Sequence, residues 1–165
     1  MKPAKIVPEG DEVQSFNELD LSPVMRRALA KMNFDKPSPI QSALIPLALD
    51  GLDVIGQART GTGKTAAFSI PILEQLDPLE DCRDPQAIIV VPTRELADQV
   101  AREAERLAYG EPTEIAVMSG GKNMNKQLRQ LENGVQMVVG TPGRLHEPHA
   151  ARHAANEKRM VCRVG

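Results

Sequence analysis

Short apolar runs alternate with amphipathic segments through the middle of this chain. The run QAIIVVP, residues 86–92, is continuously apolar, as is typical of a parallel strand covered on both faces, and TRELADQVAREAERLA after it has the apolar spacing of a helix. The segments TEIAVMSG, NKQLRQLE and VQMVVGTP then repeat strand, helix and strand. Because strands that alternate with helices are joined by right-handed crossovers, the pattern predicts an α/β fold with an open parallel sheet and flanking helices.

The segments before this alternation predict helices and one further strand. LSPVMRRALAKM offers Ser22 as the N-cap and Pro23 as the first residue of a short helix, and SALIPLAL looks helical despite Pro46. DVIGQA, residues 53–58, is expected to be a buried strand that leads into a glycine-rich loop. A helix from Lys64 to about Gln75 should follow that loop.

The glycine-rich loop ARTGTGKT carries the strongest chemical signal. It fits the pattern G-x-x-x-x-G-K-[ST] except at its first position, which is Ala58. Its backbone N–H groups can wrap a phosphate, Lys64 can reach the terminal phosphates, and the hydroxyl of Thr65 can ligate Mg²⁺. The pattern therefore predicts nucleoside triphosphate binding with Mg²⁺ by Ala58, Arg59, Thr60, Gly61, Thr62, Gly63, Lys64 and Thr65.

Composition excludes several classes of protein. A chain of 165 residues is long enough for one domain with a core, and no apolar run approaches the roughly 20 residues of a membrane span. No signal-peptide core is seen, and Cys82 and Cys162 have no metal or redox spacing, so we expect a cytoplasmic protein with reduced thiols and no membrane contact. The 20 basic and 22 acidic residues give a net charge of −2, so any nucleic-acid contact must come from a local patch.

Five short motifs follow one another in a recognisable order. FDKPSPIQ, ARTGTGKT, PTRELADQ, SGG and TPGR together resemble the N-terminal RecA-like domain of DEAD-box ATP-dependent RNA helicases, from roughly Phe16 to Leu145. The alanine at position 58 is that family's own form of the loop. The resemblance implies a RecA-like open parallel sheet of the P-loop NTPase type, ATP with Mg²⁺ as cofactor and RNA as partner.

The resemblance also implies roles for individual residues. Gln41 would read the adenine, with Phe34 and Phe16 packed nearby, although Phe16 is explained equally well as a core aromatic. Asn33 stands where the family usually has glycine, and asparagine tolerates a left-handed backbone better than most residues. Sequence-independent contacts with the phosphates of single-stranded RNA would come from Pro92, Thr93, Arg94, Gly120, Gly121, Thr141, Pro142, Gly143 and Arg144.

The same resemblance predicts an incomplete domain. Residues 1–14 are a polar lead-in that we expect to be flexible, residues 15–145 are a partial helicase ATP-binding RecA-like domain, and residues 146–165 are an aberrant tail. The family's Asp-Glu-Ala-Asp and Ser-Ala-Thr segments and its second RecA-like domain do not occur in the sequence. We therefore expect lost hydrolysis, with only Lys64 and Thr65 left of the catalytic site, and poor solubility because strands would be left unpaired.

The tail contains all three histidines, at positions 146, 149 and 153. They could form a metal cluster on one helix face, but Pro148 and the lack of a partner motif weigh against it. Removing one base from codon 147 permits a translation that continues as the family does, through an apolar strand to a position where Asp is permitted. We therefore hypothesise that residues 147–165 are translated out of frame.

Two interpretations of function remain open. In the first, the chain derives from an RNA helicase that couples ATP binding and hydrolysis to duplex unwinding, here without hydrolysis. In the second, it is a non-catalytic module that binds RNA or protein partners through Thr93–Arg94 and Thr141–Arg144. An unrelated small nucleotide kinase would give FDKPSPIQ and TPGR no purpose. Only the first interpretation predicts RNA binding that depends on nucleotide.

Overall fold

A computed structural model describes residues 13–77, 85–121, 123–147 and 160–164. Within these ranges a 3₁₀ turn at Phe16–Glu18 precedes the following elements, in chain order: α1 (Pro23–Lys31), α2 (Pro39–Leu49), α3 (Lys64–Glu74), β1 (Ala87–Val90), α4 (Arg94–Leu107), β2 (Ile115–Met118), α5 (Met124–Glu132), β3 (Met137–Gly140), α6 (Pro142–Leu145) and β4 (Met160–Arg163). None of the helices in these ranges is long and apolar enough to cross a membrane.

The described residues divide into two units. The first unit runs to Gln75 and also contains Arg106–Gly110, and the second contains Leu76–Glu105 and the chain from Glu111 onward. Residues 1–12, which make up most of the predicted lead-in, lie outside the described ranges.

The second unit contains the parallel sheet that the alternation predicts. Within the described residues the sheet has four strands in the order β2-β3-β1-β4, all parallel. Ile89 of β1 lies opposite Val139 of β3 on one side and Cys162 of β4 on the other. β3 is buried along its whole length, as expected of a strand inside a parallel sheet. The predicted α/β fold is therefore confirmed.

Strand β4 corrects one expectation about the tail. We expected strands with unpaired ladder groups, but Met160–Arg163 pairs in parallel with β1, so both edges of β1 are occupied. The side chains of β4 alternate between half-buried and exposed, and Val161 is 70% exposed. Burial raises the pKa of the Cys162 thiol to about 11, because the charged thiolate is poorly solvated there.

The first unit is built from α1, α2 and α3. The N–H and the hydroxyl of Ser22 both donate to the carboxylate of Glu74, each at 2.8 Å, which ties the start of α1 to the end of α3. The same hydroxyl accepts from the N–H of Met25 at 3.0 Å, so Ser22 is the N-cap that the sequence predicts. The buried core of this unit consists of Phe16, Leu19, Leu21, Met25, Leu29, Ile45, Ala66, Ile70 and Leu107.

Helix α1 ends in a turn that explains why asparagine is tolerated at position 33. This residue has φ +56°, in the left-handed region that glycine enters most easily. The N–H of Phe34 donates to the carbonyl of Leu29 at 2.9 Å, and the N–H of Asn33 donates to the carbonyl of Ala30 at 3.1 Å. This pair of bonds is a Schellman motif. Asparagine therefore fills a position that prefers glycine, as expected from its left-handed tolerance.

The predicted strand at residues 53–58 does not form, so that prediction was wrong. Among the described residues no strand pairs with this segment, and Ile55 is 85% exposed. An apolar run forms a parallel strand only where neighbouring strands satisfy its N–H and C=O groups. Within the segment, Gly56 packs closely on α2, since an added Cβ would lie 2.8 Å from Cδ1 of Leu44 and 3.0 Å from Cδ1 of Ile40.

Candidate functional site

The loop ARTGTGKT closes on itself in the first unit. The hydroxyl of Thr62 donates to the carbonyl of Arg59 at 2.8 Å, and Nζ of Lys64 donates to the carbonyl of Ala58 at 2.9 Å. Gly61 and Gly63 have φ +79° and +82°, which other L residues rarely adopt. The loop therefore curls around the lysine, with its ammonium group at the start of α3.

Helix α3 begins at Lys64, directly after Gly63. The first N–H groups of a helix have no intrahelical partner and carry partial positive charge, so this end of α3 attracts anions. Thr65 is half-buried in the first turn, followed by the fully buried Ala66 and Ile70 that anchor the helix in the core. The helix end, the lysine and the threonine hydroxyl are the groups that a phosphate with Mg²⁺ would require.

The side-chain amide of Gln41 joins α2 to this loop. Its Nε2 donates to the carbonyl of Gly63 at 3.1 Å, while its Oε1 accepts from the N–H of Ser38 at 2.8 Å. The residue is 4% exposed. A Cβ on Gly63 would collide with Nε2 of Gln41, so the glycine permits this close approach. Both ends of the amide are bonded within the chain, and adenine recognition by Gln41 stays a prediction.

The two aromatic residues assigned to the base form a stacked pair. The ring centroids of Phe16 and Phe34 are 6.3 Å apart and the planes differ by 23°. Phe16 is 5% exposed and belongs to the core cluster of the first unit, with Phe34 packed against that cluster. The geometry gives both rings a packing role in the core, and contact with a base stays a prediction for each.

Loops at the ends of β1 and β2 meet in the second unit. Thr93 caps α4, because its hydroxyl accepts from the N–H of Leu96 at 3.2 Å. The exposed guanidinium of Arg94 lies against the backbone of Gly120 and Gly121. A Cβ added to Gly120 would lie 3.8 Å from Nη2 of Arg94, and a Cβ added to Gly121 would overlap Nη1 of Arg94. Gly121 has φ +78°, a backbone conformation that also favours glycine at this position.

The turn at Thr141–Arg144 is joined to the same edge of the sheet. The N–H of Thr141 donates to the carbonyl of Met118 at 3.0 Å. The side chain of Arg144 is 10% exposed, its Nε lies 3.5 Å from Oε1 of Glu147, and its guanidinium lies against the sulfur of Met124. Arg144 is thus held inside the protein by a carboxylate and a thioether, whereas Pro142 and Gly143 are exposed.

The structure brings the predicted residues together in two groups. The first unit holds the loop Ala58–Thr65, the phosphate loop, with Gln41. The second unit holds Arg94 with Gly120 and Gly121 and, at the same sheet edge, the turn that begins at Thr141. His146 is exposed, and His149 and His153 lie outside the described residues. Within the described ranges, no group of three or more His, Cys, Asp or Glu residues could hold a metal ion.

Sequence reasoning missed two residues of α5. Gln127 and Met124 each contact one of the second unit's loops, Gln127 through the carbonyl of Ser119 and Met124 through Arg144. Gln127 lies four residues before Leu131, and both are buried, so it occupies the apolar face of an amphipathic helix. A polar residue at such a position was the signal that could have identified it.

Known proteins resemble this chain over most of its length. A family model described as DEAD/DEAH box helicase matches residues 38–162. The ATP-dependent RNA helicase DeaD of Haemophilus influenzae is 46% identical over 143 residues, which is 86% of this chain and 23% of the relative. The DEAD-box ATP-dependent RNA helicase CshA of Bacillus subtilis is 43% identical over 79% of this chain and 26% of its own length.

A solved structure also resembles the fold. The crystal structure of a DEAD box protein from the hyperthermophile Methanococcus jannaschii superimposes with a TM-score of 0.81 at 42% identity. The superposition covers 91% of this chain and 40% of that protein's chain. The chain spans about a quarter of the length of the curated relatives it matches.

Proposed function

This chain belongs to the DEAD/DEAH box helicase family, and on that premise we propose that it carries the ATP- and RNA-binding elements of an ATP-dependent RNA helicase. The observation that supports this most is the closed loop at the start of α3, in which Lys64 is held over the carbonyl of Ala58. Relatives that are named ATP-dependent RNA helicases match 79% to 91% of this chain.

The first unit binds the nucleotide. The ammonium group of Lys64 donates to the carbonyl of Ala58 in its own loop. A phosphate group offers this ammonium a charged acceptor, and charge-assisted hydrogen bonds are roughly twice as strong as neutral ones. The backbone N–H groups from Gly61 onward, including those at the start of α3, hold the remaining oxygens, and the hydroxyl of Thr65 is the group that would hold Mg²⁺. Mg²⁺ held there would neutralise part of the charge of the phosphates.

The second unit binds the RNA backbone. Thr93 and Arg94 are exposed at the start of α4, and the guanidinium of Arg94 lies against Gly120 and Gly121, so a phosphate bound by Arg94 would lie beside this main chain. Such contacts carry no base information, so affinity should depend on salt rather than on sequence. Arg144 joins these contacts once its guanidinium leaves the carboxylate of Glu147.

We expect binding without turnover from this chain. The sequence contains no Asp-Glu-Ala-Asp or Ser-Ala-Thr segment to hold the metal and to orient the attacking water. Loss of one electrostatic stabiliser alone lowers a rate by about 10²- to 10³-fold. RNA-dependent ATP hydrolysis by residues 1–165 would contradict this expectation.

A titration with a fluorescent ATP analogue and Mg²⁺ tests the nucleotide proposal. Lys64→Ala should weaken binding by about 10- to 100-fold, because it removes a charge-assisted bond to phosphate. Arg27→Ala is the matched control, since it removes an exposed positive charge from α1, and it should leave the affinity unchanged. Equal affinities for the two variants would reject the phosphate role of Lys64.

RNA affinity with and without nucleotide separates the two interpretations of function. Tighter binding of a single-stranded oligoribonucleotide in the presence of the ATP analogue supports a helicase-derived module. Binding that is indifferent to nucleotide supports an RNA- or partner-binding remnant that uses Thr93–Arg94 and Thr141–Arg144.

For the tail, the hypothesis is that residues 147–165 are translated out of frame. Two observations bear on it: the family match extends to residue 162, and Met160–Arg163 pairs with β1. Resequencing the genomic DNA across codon 147 decides the matter. If the new DNA sequence lacks the extra base, the amino-acid sequence contains a reading error. If the new DNA sequence contains the extra base, the gene encodes this tail.

A further inference from the structure

Helix α5 touches the two loops at the ends of β2 and β3. Nε2 of Gln127 donates to the carbonyl of Ser119 at 3.0 Å, immediately before Gly120. One turn earlier, the sulfur of Met124 lies against the guanidinium of Arg144. A single helix thus contacts both the Ser119–Gly121 loop and the Thr141–Arg144 turn.

The burial of Gln127 indicates that its amide has a specific purpose. Gln127 is 4% exposed and Ser119 is fully buried. Oε1 of Gln127 and the hydroxyl of Ser119 have no hydrogen-bond partner among the described residues. A buried acceptor without a partner destabilises the folded state, and methionine would fill similar space without that penalty. The bond from Nε2 to Ser119 is therefore the feature that packing alone does not explain.

That bond fixes the orientation of one peptide group. The carbonyl of Ser119 and the N–H of Gly120 belong to the same planar unit, and in a trans peptide they point in opposite directions. Holding the carbonyl toward buried Gln127 directs the N–H of Gly120 away from the core. The next residue, Gly121, has φ +78° and lies under the guanidinium of Arg94. The loop therefore presents an N–H donor beside a cation.

We propose that Gln127 is a positioning residue, which orients the Ser119–Gly120 peptide so that its N–H donates to a phosphate of the RNA backbone. The proposal rests on the RNA-binding role of this loop. Gln127 itself touches no RNA, since it lies under the loop and is buried. Without its amide, the peptide can rotate and the donor is no longer held in place before binding.

Hydrogen exchange of the full chain without RNA tests the positioning step alone. Gln127→Met removes the donor and keeps the volume, so the peptide that covers Ser119–Gly121 should exchange faster while β3 keeps its protection. Gln130→Met makes the same change at an exposed position of α5 and should leave both segments as in the original chain. Unchanged exchange of the loop in Gln127→Met would overturn the proposal.

Affinities then connect the loop with function. Gln127→Met should bind a single-stranded oligoribonucleotide about three- to ten-fold more weakly, as expected for one hydrogen bond, with unchanged affinity for the fluorescent ATP analogue and an unchanged Tm. A lower Tm with both affinities reduced would mean that Gln127 only packs, which overturns the proposal. If Gln127→Met does not fold, Gln127→Asn takes its place, because asparagine keeps an amide but its shorter side chain withdraws that amide from Ser119. Hydrogen exchange of the Ser119–Gly121 loop is then measured in this variant. If the original chain binds no RNA, the proposed function fails, and the exchange result still decides the positioning role.

Discussion

The phosphate loop of the first unit and the loops of the second unit obtain their shapes in different ways. Within the phosphate loop, the bonds Thr62 to Arg59 and Lys64 to Ala58 join residues three and six positions apart. In the second unit the contact of Arg144 with Met124 spans 20 positions, and Arg94 lies against a loop that follows a different strand. The first loop combines these two local bonds with one bond from Gln41, 22 positions before Gly63, whereas the others depend on the sheet that assembles around them.

The largest predicted effect tests how local the phosphate loop is. Gly61→Ala and Gly63→Ala both place a side chain at positive φ, at a cost of about 1–2 kcal/mol in the free energy of unfolding. Gly63→Ala should cost about 1 kcal/mol more, because the new Cβ displaces the Gln41 amide from its bond to the loop, whereas the space at Gly61 is open. Urea denaturation measures both values.

A double-mutant cycle provides the control for that difference. In a Gln41→Ala background the two glycine variants should have equal costs, because the colliding amide is gone. Equal costs in the original background would mean that Gln41 moves aside freely. The phosphate loop would then be wholly local, which would make the contrast with the second unit sharper.

The second prediction concerns β4, which pairs across the longest sequence interval in the sheet. Cys162 lies opposite Ile89, and burial raises its pKa from 9.0 to about 11. Since the thiolate is the reactive form, alkylation of Cys162 by iodoacetamide near pH 8 should be about 100-fold slower in the folded chain than in urea. A Cys82→Ala chain isolates this thiol for the measurement.

The sign of the linked stability change follows from the same shift. The unfolded chain releases the Cys162 proton near pH 9 and the folded chain near pH 11. The contribution of this thiol is therefore present below pH 9 and is lost as the pH rises toward 11. Equal alkylation rates in folded and unfolded chains would mean that β4 does not pair with β1, as expected of a tail translated out of frame.

The same contrast explains how much the sequence could predict. Apolar periodicity predicted β1, β2 and β3 with the helices between them, and local capping rules predicted Ser22 at the start of α1. Residues 53–58 have the composition of a strand, but ladder partners decide whether one forms. Strand β4 has four residues and no flanking pattern, and the bond of Gln127 to Ser119 requires the tertiary structure.

A third prediction separates the role of Thr93 as the cap of α4 from its proposed role in RNA binding. Its hydroxyl caps α4, so Thr93→Ala should lower the free energy of unfolding by about 1 kcal/mol. Thr93→Asp restores a cap and places a negative charge favourably at the helix start, so stability should return while RNA affinity falls through repulsion of phosphate. Urea denaturation and RNA titration of both variants measure the two effects. An Asp variant that binds RNA as tightly as the original chain would remove Thr93 from the RNA-binding surface.

The smallest predicted effect concerns the ion pair that holds Arg144. Its partner Glu147 is three residues away, the side chain of Glu147 is 42% exposed, and such pairs contribute about 0–1 kcal/mol to stability. Glu147→Gln removes the carboxylate that competes with phosphate for the guanidinium, so RNA affinity should rise about two- to three-fold with little change in Tm. Titrations at two salt concentrations measure the change.

Glu132→Gln is the matched control, because it removes one exposed carboxylate from the end of α5 and changes the net charge equally. A gain in RNA affinity that occurs only in Glu147→Gln means that Arg144 was restrained by its local partner. An equal gain in both variants means that net charge alone is responsible. In that case Arg144 remains a structural residue packed on Met124, and the second unit contacts RNA through Thr93, Arg94 and the Ser119–Gly121 loop only.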